Sequence, residues 1–302
     1  MKLGPGFYRD IPKDLYMNDE ISEAPTLSAS IAKLLVSRSP AHAWSAHPKG
    51  GRCKTESTEA QNEGAILDSL LLGGDTELVV LPDMMPNAEK KMVPTKGKFL
   101  LQSAKDWRDA QIAEGKLPVD KEELEYAKKA AETIRENLAR DGVVLDGEHQ
   151  VTALWDEGGV RCKARFDHWK EGALTVFDLK KVKCAHPDAI ARAMIDYGWD
   201  IQAAAYVRAV EALVPEAAGR VRFVILAVEP YPPHEVLVRP LAGTMRALGE
   251  WKWNKAISEW NRCLRARKWP GYSGMEEGIE APAWAMERMQ ESLAGGSVGA
   301  PF

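Results

Sequence analysis

Two aspartates and a lysine stand at the ends of adjoining apolar runs in "RFDHWKEGALTVFDLKK", residues 165–181. Asp167 ends the first run, and Asp178 and Lys180 end the second. Burying carboxylates beside a sheet costs free energy unless partners or a metal ion compensate the charge. Two carboxylates at neighbouring strand ends suit Mg²⁺, which prefers oxygen ligands. The pattern predicts either a metal site or a semi-buried ion pair between Asp178 and Lys180.

The spacing within the second run decides which way its side chains face. Asp178 and Lys180 are two residues apart, so on a strand they share a face, while Leu179 points into the core and keeps its carbonyl available as a ligand. A lysine beside a metal-bound water can stabilise hydroxide or developing charge on a phosphoryl group. His168 follows Asp167 directly, so we expect it to face away from the acid and to be structural.

Three other polar residues share helix faces with small or apolar neighbours. Asp68 lies in "EGAILDSLLLGG" and needs a partner, a metal ion or an escape to solvent at the helix edge. Gln202 and Tyr206 are four residues apart in "DIQAAAYV" and therefore share one helix face. They indicate either polar tips that reach a catalytic cleft or an ordinary packed helix with an interfacial tyrosine.

The hydrophobic periodicity predicts the elements that must position these residues. The fold class is α/β, with a mixed central sheet flanked by helices and a helical N-terminal portion. We expect one domain over 1–290, with its helical part at 26–141 and its core at 146–290, and a flexible tail at 291–302. The predicted elements, in order, are an irregular arm at 1–26, helices at 26–37, 58–74, 101–114 and 120–141, three strands joined as a meander between 148 and 180, a helix at 186–213 broken near Tyr197 and Gly198, two further strands, and a helix at 242–267.

Composition limits the partners and the compartment. The 302 residues carry a formal net charge of −4, so bulk electrostatics gives no support for nucleic-acid binding, and any polyanion site must be local. Two basic stretches, 161–183 and 252–268, are either such local sites or solvated faces. The four cysteines form no CxxC pair, which favours reduced thiols in a cytoplasmic protein. We expect no export signal and no membrane span, because no long apolar segment occurs.

Several segments together resemble a known family. Between Tyr16 and Tyr272 the chain resembles the RecE-type exodeoxyribonucleases (exonuclease VIII-like) of the PD-(D/E)XK nuclease superfamily. The resemblance rests on six pieces in the family's order, which are "LSASIAKLLVSRSPAHAW", "EGAILDSLLLGG", "GVRCKARFDHW", "VFDLKKV", "YGWDIQAAAYV" and "WPGY".

The resemblance implies roles for the residues considered above. Asp167 and Asp178 would be the metal-binding acids, Lys180 the motif lysine, and the Leu179 carbonyl a further ligand. Gln202 and Tyr206 match the QxxxY element of this branch. Two positions depart from the family, since Asp68 stands where a metal-binding histidine is common and Lys181 where a threonine is usual. Aspartate also binds Mg²⁺ or Mn²⁺, so we expect activity to survive this departure with a different metal preference.

The resemblance also implies a substrate and partners. Such enzymes degrade linear double-stranded DNA from 5′ ends, leave 3′ single-stranded tails, form rings of three or four subunits, and act with a single-strand annealing protein in phage-type recombination. We expect DNA contacts at Ser28, Ser30, Arg161, Arg165 and Lys181, with a 5′ phosphate at Ser28 or Ser30. Two alternatives stay open, a related PD-(D/E)XK endonuclease and a non-catalytic DNA-binding scaffold. The departure at Asp68 is the main support for the scaffold.

Overall fold

The computed structural model describes residues 2–51, 59–74, 76–272 and 280–294. The chain divides into two compact units, Met1–Trp269 and Pro270–Phe302. The helices are α1 Lys13–Met17, α2 Ala29–Ser37, α3 Pro40–Ala46, α4 Glu59–Leu72, α5 Gln102–Ala113, α6 Lys121–Arg140, α7 Pro187–Asp196, α8 Trp199–Leu213, α9 Gly243–Ala266 and α10 Ala283–Ala294.

Six strands of the first unit form one mixed sheet in the order β1-β6-β7-β8-β9-β10. Only the β8–β9 pair is parallel, and the other neighbours are antiparallel. This confirms the predicted fold class and the meander. The strands of the chain are β1 Gly6–Tyr8, β2 Leu78–Val80, β3 Met84–Pro86, β4 Met92–Pro94, β5 Leu117–Val119, β6 Glu148–Glu157, β7 Val160–Lys170, β8 Thr175–Lys181, β9 Arg222–Val228 and β10 Val236–Pro240.

Strand β9 shows why helices cover both faces of this sheet. Six of its seven residues are buried, and alternate side chains enter two different cores. Ile225 belongs to the core that also contains α2, α8 and α9 side chains, whereas Leu226 packs with α4 and α6 side chains. The central sheet therefore separates an α8 side from an α4 side.

Glycines set the two sharpest turns that the sequence predicts. Gly158 and Gly159 both have positive φ, at 57° and 76°, and join β6 to β7 as the predicted hairpin. Gly198 has a φ of 70° and separates α7 from α8 at the predicted break. The first turn precedes β7, which carries Asp167, and the second precedes α8, which carries Gln202.

The first 26 residues are not irregular, as the sequence suggested. They contain β1, which pairs with β6 from Gly6↔Leu154 to Tyr8↔Thr152, and the short helix α1. Residues 76–119 also contain four short strands, besides the predicted helix, that the sequence did not indicate. Strands β2 and β5 form a parallel pair, and β3 and β4 form a hairpin. None of these short strands exceeds three residues, which leaves too little periodicity to read from sequence.

The second unit contains α10, which extends to Ala294 and therefore includes the first four residues of the predicted flexible tail. The rest of that tail, residues 295–302, lies outside the described residues. The predicted single domain over 1–290 stays a prediction. Among the residues that the structure describes, no helix is both long and apolar enough to cross a membrane.

Candidate active site

Asp167 and Asp178 lie where strands β7 and β8 separate. The antiparallel ladder pairs His168 with Phe177, and in that register the next position would pair Asp167 with Asp178, but the ladder ends there. The Leu179 backbone N–H donates instead to Oδ2 of Asp167, at 2.9 Å. The carboxylate thus replaces a ladder partner, and the two acids flank the opening between the strands.

Lys180 compensates part of this negative charge. Its Nζ lies 2.6 Å from Oδ2 of Asp178, a fully buried carboxylate, and 5.6 Å from the centre of the Trp199 ring. Burial opposes the charge on Lys180, but the carboxylates of Asp178 and Asp167 outweigh it and raise the lysine pKa. Lys180 is therefore a cation at the carboxylate pair, as the sequence predicts.

Helix α8 contributes the amide and the hydroxyl of the predicted QxxxY element. Nε2 of Gln202 donates to Oδ1 of Asp178 at 2.7 Å and lies 2.9 Å from the Tyr206 hydroxyl. Tyr206 in turn donates to the Arg165 carbonyl at 2.6 Å. Burial and the nearby acids raise the pKa of Tyr206 well above its usual value, so this hydroxyl stays protonated. The pair links β8 to β7 through α8.

Asp68 faces the same opening from α4. Its Oδ2 accepts a hydrogen bond of 3.1 Å from Nε2 of Gln150, whose Oε1 accepts one of 2.9 Å from Arg165. Gln150 lies opposite Asp167 in the β6–β7 register. Its φ of 53° is a left-handed conformation that is uncommon outside glycine, and the ladder is interrupted at this position. Burial raises the pKa of Asp68 to about 6.

Two cavities are lined by residues of this site. A cleft of about 310 Å³ is lined by Asp68, Asp167, Leu179, Lys180 and Lys181, among others. A larger cavity of about 610 Å³ is lined by the length of α2 and by the first half of α8, including Gln202 and Tyr206. Gln202 lines the larger cavity and hydrogen-bonds to Asp178, so this side chain connects the cavity to the acid pair.

Residues 28–282 match the family model described as a PDDEXK-like domain of unknown function. This chain belongs to that PDDEXK-like family. The match includes Asp68, Asp167, Asp178, Lys180, Gln202 and Tyr206. It supports membership of the PD-(D/E)XK nuclease superfamily and a nuclease activity.

One solved structure shares the fold of this chain. A crystal structure titled "Putative exonuclease" from Eubacterium rectale superposes with a TM-score of 0.55 at 16% identity, covering 93% of this chain and 98% of that chain. A second structure, titled SSO0001, has a TM-score of 0.24 at 13% identity, with 64% and 84% covered. No protein of curated function matches the sequence significantly. At this identity, the first neighbour shows the fold alone.

PDDEXK-like nucleases typically use divalent metals, and the side chains here fit one. Burial and the adjacent charge of Asp178 raise the pKa of Asp167 well above its usual value, which is the condition that a bound cation relieves. Oδ2 of Asp178 is buried, and the Lys180 ammonium lies 2.6 Å from it. In the described parts of the chain, no three acidic, histidine or cysteine side chains form a closed metal cage. Mg²⁺ is commonly held by only one or two carboxylates, with water and substrate phosphates completing its shell.

The predicted DNA-contacting residues fall into two groups. Ser28 and Ser30 line the larger cavity with their hydroxyls 3.0 Å apart, and Lys181 lines the cleft in an ion pair with Glu63. Arg161 and Arg165 line neither cavity among the described residues.

Both arginines instead bind parts of the protein. Arg161 forms a bidentate pair with Asp156 and donates to the Leu3 carbonyl at 3.0 Å. Arg165 donates to Gln150 and, at 2.9 Å, to the Ile11 carbonyl. The structure therefore does not bring Arg161 to the site, whereas Arg165 is joined to Asp68 through Gln150.

His168 faces away from the acids, as expected. It is fully buried, its Nε2 accepts from the Gly147 N–H at 3.3 Å, and its Nδ1 lies 3.1 Å from Nδ1 of His149. Burial, together with His149, lowers the pKa of His168 to about 4, so the ring is neutral near pH 7. These contacts fit a structural role.

Sequence reasoning missed the residues that the N-terminal arm contributes. Lys13 lines the cleft, and Tyr16 lines the larger cavity. The basic residue Lys163 is not a surface cation, because it is buried and donates to Asp19 at 2.9 Å across 144 positions of sequence. Gln150 was missed as well. No local pattern marks these positions, since their partners are distant in the chain.

Proposed function

We propose that this chain is a Mg²⁺-dependent exodeoxyribonuclease that hydrolyses linear double-stranded DNA from 5′ ends and leaves 3′ single-stranded tails. The observation that carries the proposal is the acid pair Asp167 and Asp178 at the end of the β7–β8 ladder, with Lys180 at 2.6 Å from Asp178. Two carboxylates and a lysine at a strand opening suit phosphodiester hydrolysis.

Each residue of the site has its own role in the proposed reaction. Asp167, Asp178 and the Leu179 carbonyl would hold the cation from the sheet, with Asp68 facing them from α4. A divalent cation, when bound there, supplies an activated water and stabilises the leaving oxygen. Lys180 orients the attacking water and offsets the charge that develops on the phosphoryl oxygens. Gln202 holds Asp178 in place through its 2.7 Å hydrogen bond.

The larger cavity supports action at a chain end. Ser28 precedes α2 at the N-cap position, but its hydroxyl makes no capping hydrogen bond and instead faces Ser30 at 3.0 Å. Lys33 and Arg38 line the same cavity. Hydroxyls, helix N–H groups and cations together favour a terminal phosphate. We therefore assign the 5′ phosphate of the substrate to this cavity, beside the acid pair.

The experiment compares wild type with Asp178→Asn on three DNA substrates in Mg²⁺, Mn²⁺ and EDTA. The substrates are a linear duplex with 5′ phosphates, the same duplex with 5′ hydroxyls, and a closed circular plasmid. Label placed separately at the 5′ and 3′ ends reports polarity. Asn keeps the shape of Asp178 and its acceptor for Gln202 but removes the charge that the cation needs, and thermal unfolding checks that the variant folds.

We expect metal-dependent loss of linear DNA only, early release of the 5′ label, a slower reaction on 5′ hydroxyl ends, and no activity in Asp178→Asn. Cleavage of the closed circle would instead identify an endonuclease. Intact linear DNA in both metals, with binding retained, would identify a non-catalytic scaffold and overturn the proposal.

The partners implied by the family resemblance are part of this proposal. A ring of three or four subunits around DNA, and cooperation with a single-strand annealing protein in recombination, would place the 3′ tails in a strand-exchange reaction. Sedimentation equilibrium of the full chain tests the ring, and a monomer at all concentrations would contradict it.

A further inference from the structure

The N-terminal arm, residues 2–27, lies outside the segment that matches the family model, which begins at residue 28. The arm is nevertheless fixed to the nuclease sheet at several points. Strand β1 pairs with β6, the Ile11 carbonyl accepts from Arg165 at 2.9 Å, and the Tyr16 carbonyl accepts from Lys163 at 2.6 Å. Helix α1 begins two residues after Ile11 and contains Tyr16, so its position relative to the sheet is set by Arg165 and Lys163 of β7.

This anchoring brings Lys13, the first residue of α1, to the cleft that contains Asp68, Asp167 and Lys180. Lys13 is exposed, and its Nζ lies 3.5 Å from the Thr76 hydroxyl, a long contact that a better acceptor would readily replace. Lys13 and Asp68 line the same cleft, so the lysine can bring its charge to a phosphate bound there.

Among the described residues, the other two lysines of the cleft are already in ion pairs, unlike Lys13. Lys180 is paired with Asp178, and Lys181 is paired with Glu63. Lys13 forms no ion pair within the part of the chain that the structure describes. A DNA phosphate that approaches Asp68 and Asp167 meets repulsion that the two paired lysines only partly offset. A flexible, exposed ammonium at the rim can contact the phosphate without first breaking an ion pair with a described residue.

We propose that Lys13 binds a non-bridging oxygen of the DNA phosphate that lies over Asp68 and Asp167, so that the N-terminal arm completes the nuclease cleft. The inference rests on the proposed function for its substrate, but it can be tested by binding alone. Lys13 would act as a phosphate-binding residue, and the anchors at Ile11 and Tyr16 would act only through its position.

The test compares Lys13→Gln, Lys13→Arg and the control Lys2→Gln with wild type. Lys2 belongs to the same arm and lines neither cavity. Anisotropy of a labelled, 5′-phosphorylated linear duplex, titrated in EDTA over a series of KCl concentrations, gives the slope of log K against log salt. Hydrolysis rates in Mg²⁺ are measured in parallel, and thermal unfolding checks that each variant folds.

Loss of one phosphate contact reduces the salt slope by about 0.9. We expect that reduction, with slower hydrolysis, for Lys13→Gln, and wild-type slopes for Lys13→Arg and Lys2→Gln. A wild-type slope in Lys13→Gln would overturn the inference, and it would leave the proposed function standing if wild type digests DNA. If wild type digests none, the proposed function fails, while a reduced slope in Lys13→Gln would still support the phosphate contact.

Discussion

The side-chain amide of Gln202 on α8 donates a 2.7 Å hydrogen bond to Asp178 on β8. The Tyr206 hydroxyl, one turn later, lies 2.9 Å from the same amide nitrogen and donates to the Arg165 carbonyl on β7. Helix α8 therefore bridges the two strands beyond the point where their ladder ends. Since Asp167 and Asp178 flank this opening, α8 sets the separation of the acids that would hold the cation.

Removal of the Tyr206 hydroxyl tests this bridge. In Tyr206→Phe the Arg165 carbonyl loses its donor and the Gln202 amide loses a partner, so Asp178 is held less firmly. We expect a loss of about 1–2 kcal/mol in the free energy of unfolding, measured in urea. We also expect a lower kcat for DNA hydrolysis with little change in KM. Tyr8→Phe is the control, because the exposed Tyr8 hydroxyl contacts only the nearby Gly4 carbonyl among described residues. Unchanged kcat in Tyr206→Phe would contradict the bridge.

Asp68 provides a prediction about the metal. The carboxylate faces the acid pair from α4, and an imidazole at this position would favour transition metals over Mg²⁺. We expect Asp68→Asn to weaken Mg²⁺ binding and Asp68→His to shift the preference towards Mn²⁺. Isothermal titration of each metal into DNA-free protein measures both effects. Gln150→Ala, which removes the 3.1 Å hydrogen bond to Asp68 but keeps its charge, serves as the comparison. Equal affinities in wild type and both Asp68 variants would show that Asp68 is not a ligand.

A buried ion pair between α8 and α9 gives a prediction about stability. Asp200 is fully buried, and its Oδ2 lies 2.5 Å from Nζ of Lys252, while its Oδ1 has no hydrogen bond. Removing one partner of a buried pair leaves an uncompensated charge and typically costs about 3–5 kcal/mol. We expect that loss for Lys252→Met in urea unfolding. The double variant Asp200→Asn with Lys252→Met removes both charges and should recover most of it, and a double variant no more stable than Lys252→Met would contradict this account.

The sequence predicted the central elements because each carries a long periodic signal. Strand β9 is almost wholly apolar, the hairpin is marked by Gly158 and Gly159, and the break before α8 is marked by Gly198. The register of β7 against β8 then brings Asp167 beside Asp178 without further information. At these positions the local sequence pattern and the sheet geometry indicate the same arrangement. The acid pair could therefore be predicted from residue types and spacing.

The rest of the site depends on contacts between distant segments. Arg165 belongs to a basic stretch that suggested DNA contact, but its guanidinium holds Gln150 and the Ile11 carbonyl. Lys163, from the same stretch, is buried against Asp19. Strand β1 has three residues and forms by pairing with the edge of β6. Tertiary packing determines the conformation of such short segments and overrides their local preference.

The buried ring of His47 yields a prediction about pH. Its Nδ1 accepts from the Lys49 N–H and its Nε2 lies 3.1 Å from the Thr26 carbonyl, so Nε2 carries the proton of a neutral ring. Burial lowers the pKa of His47 to about 4, although Asp19 acts in the opposite direction. Between pH 6.5 and 4 the unfolded chain takes up a proton that the folded ring does not, so stability falls as the pH falls through this window.

We expect wild type to lose about 2 kcal/mol from this residue between pH 7 and pH 5, a loss that His47→Gln should not show. Glutamine keeps a donor for the Thr26 carbonyl but cannot be protonated. Urea unfolding of both proteins at each pH isolates the contribution of His47, because His168 and the carboxylates are common to both. His186→Gln, at an exposed histidine, should lose as much stability as wild type. If His47→Gln also loses as much as wild type, the ring is not held neutral by burial.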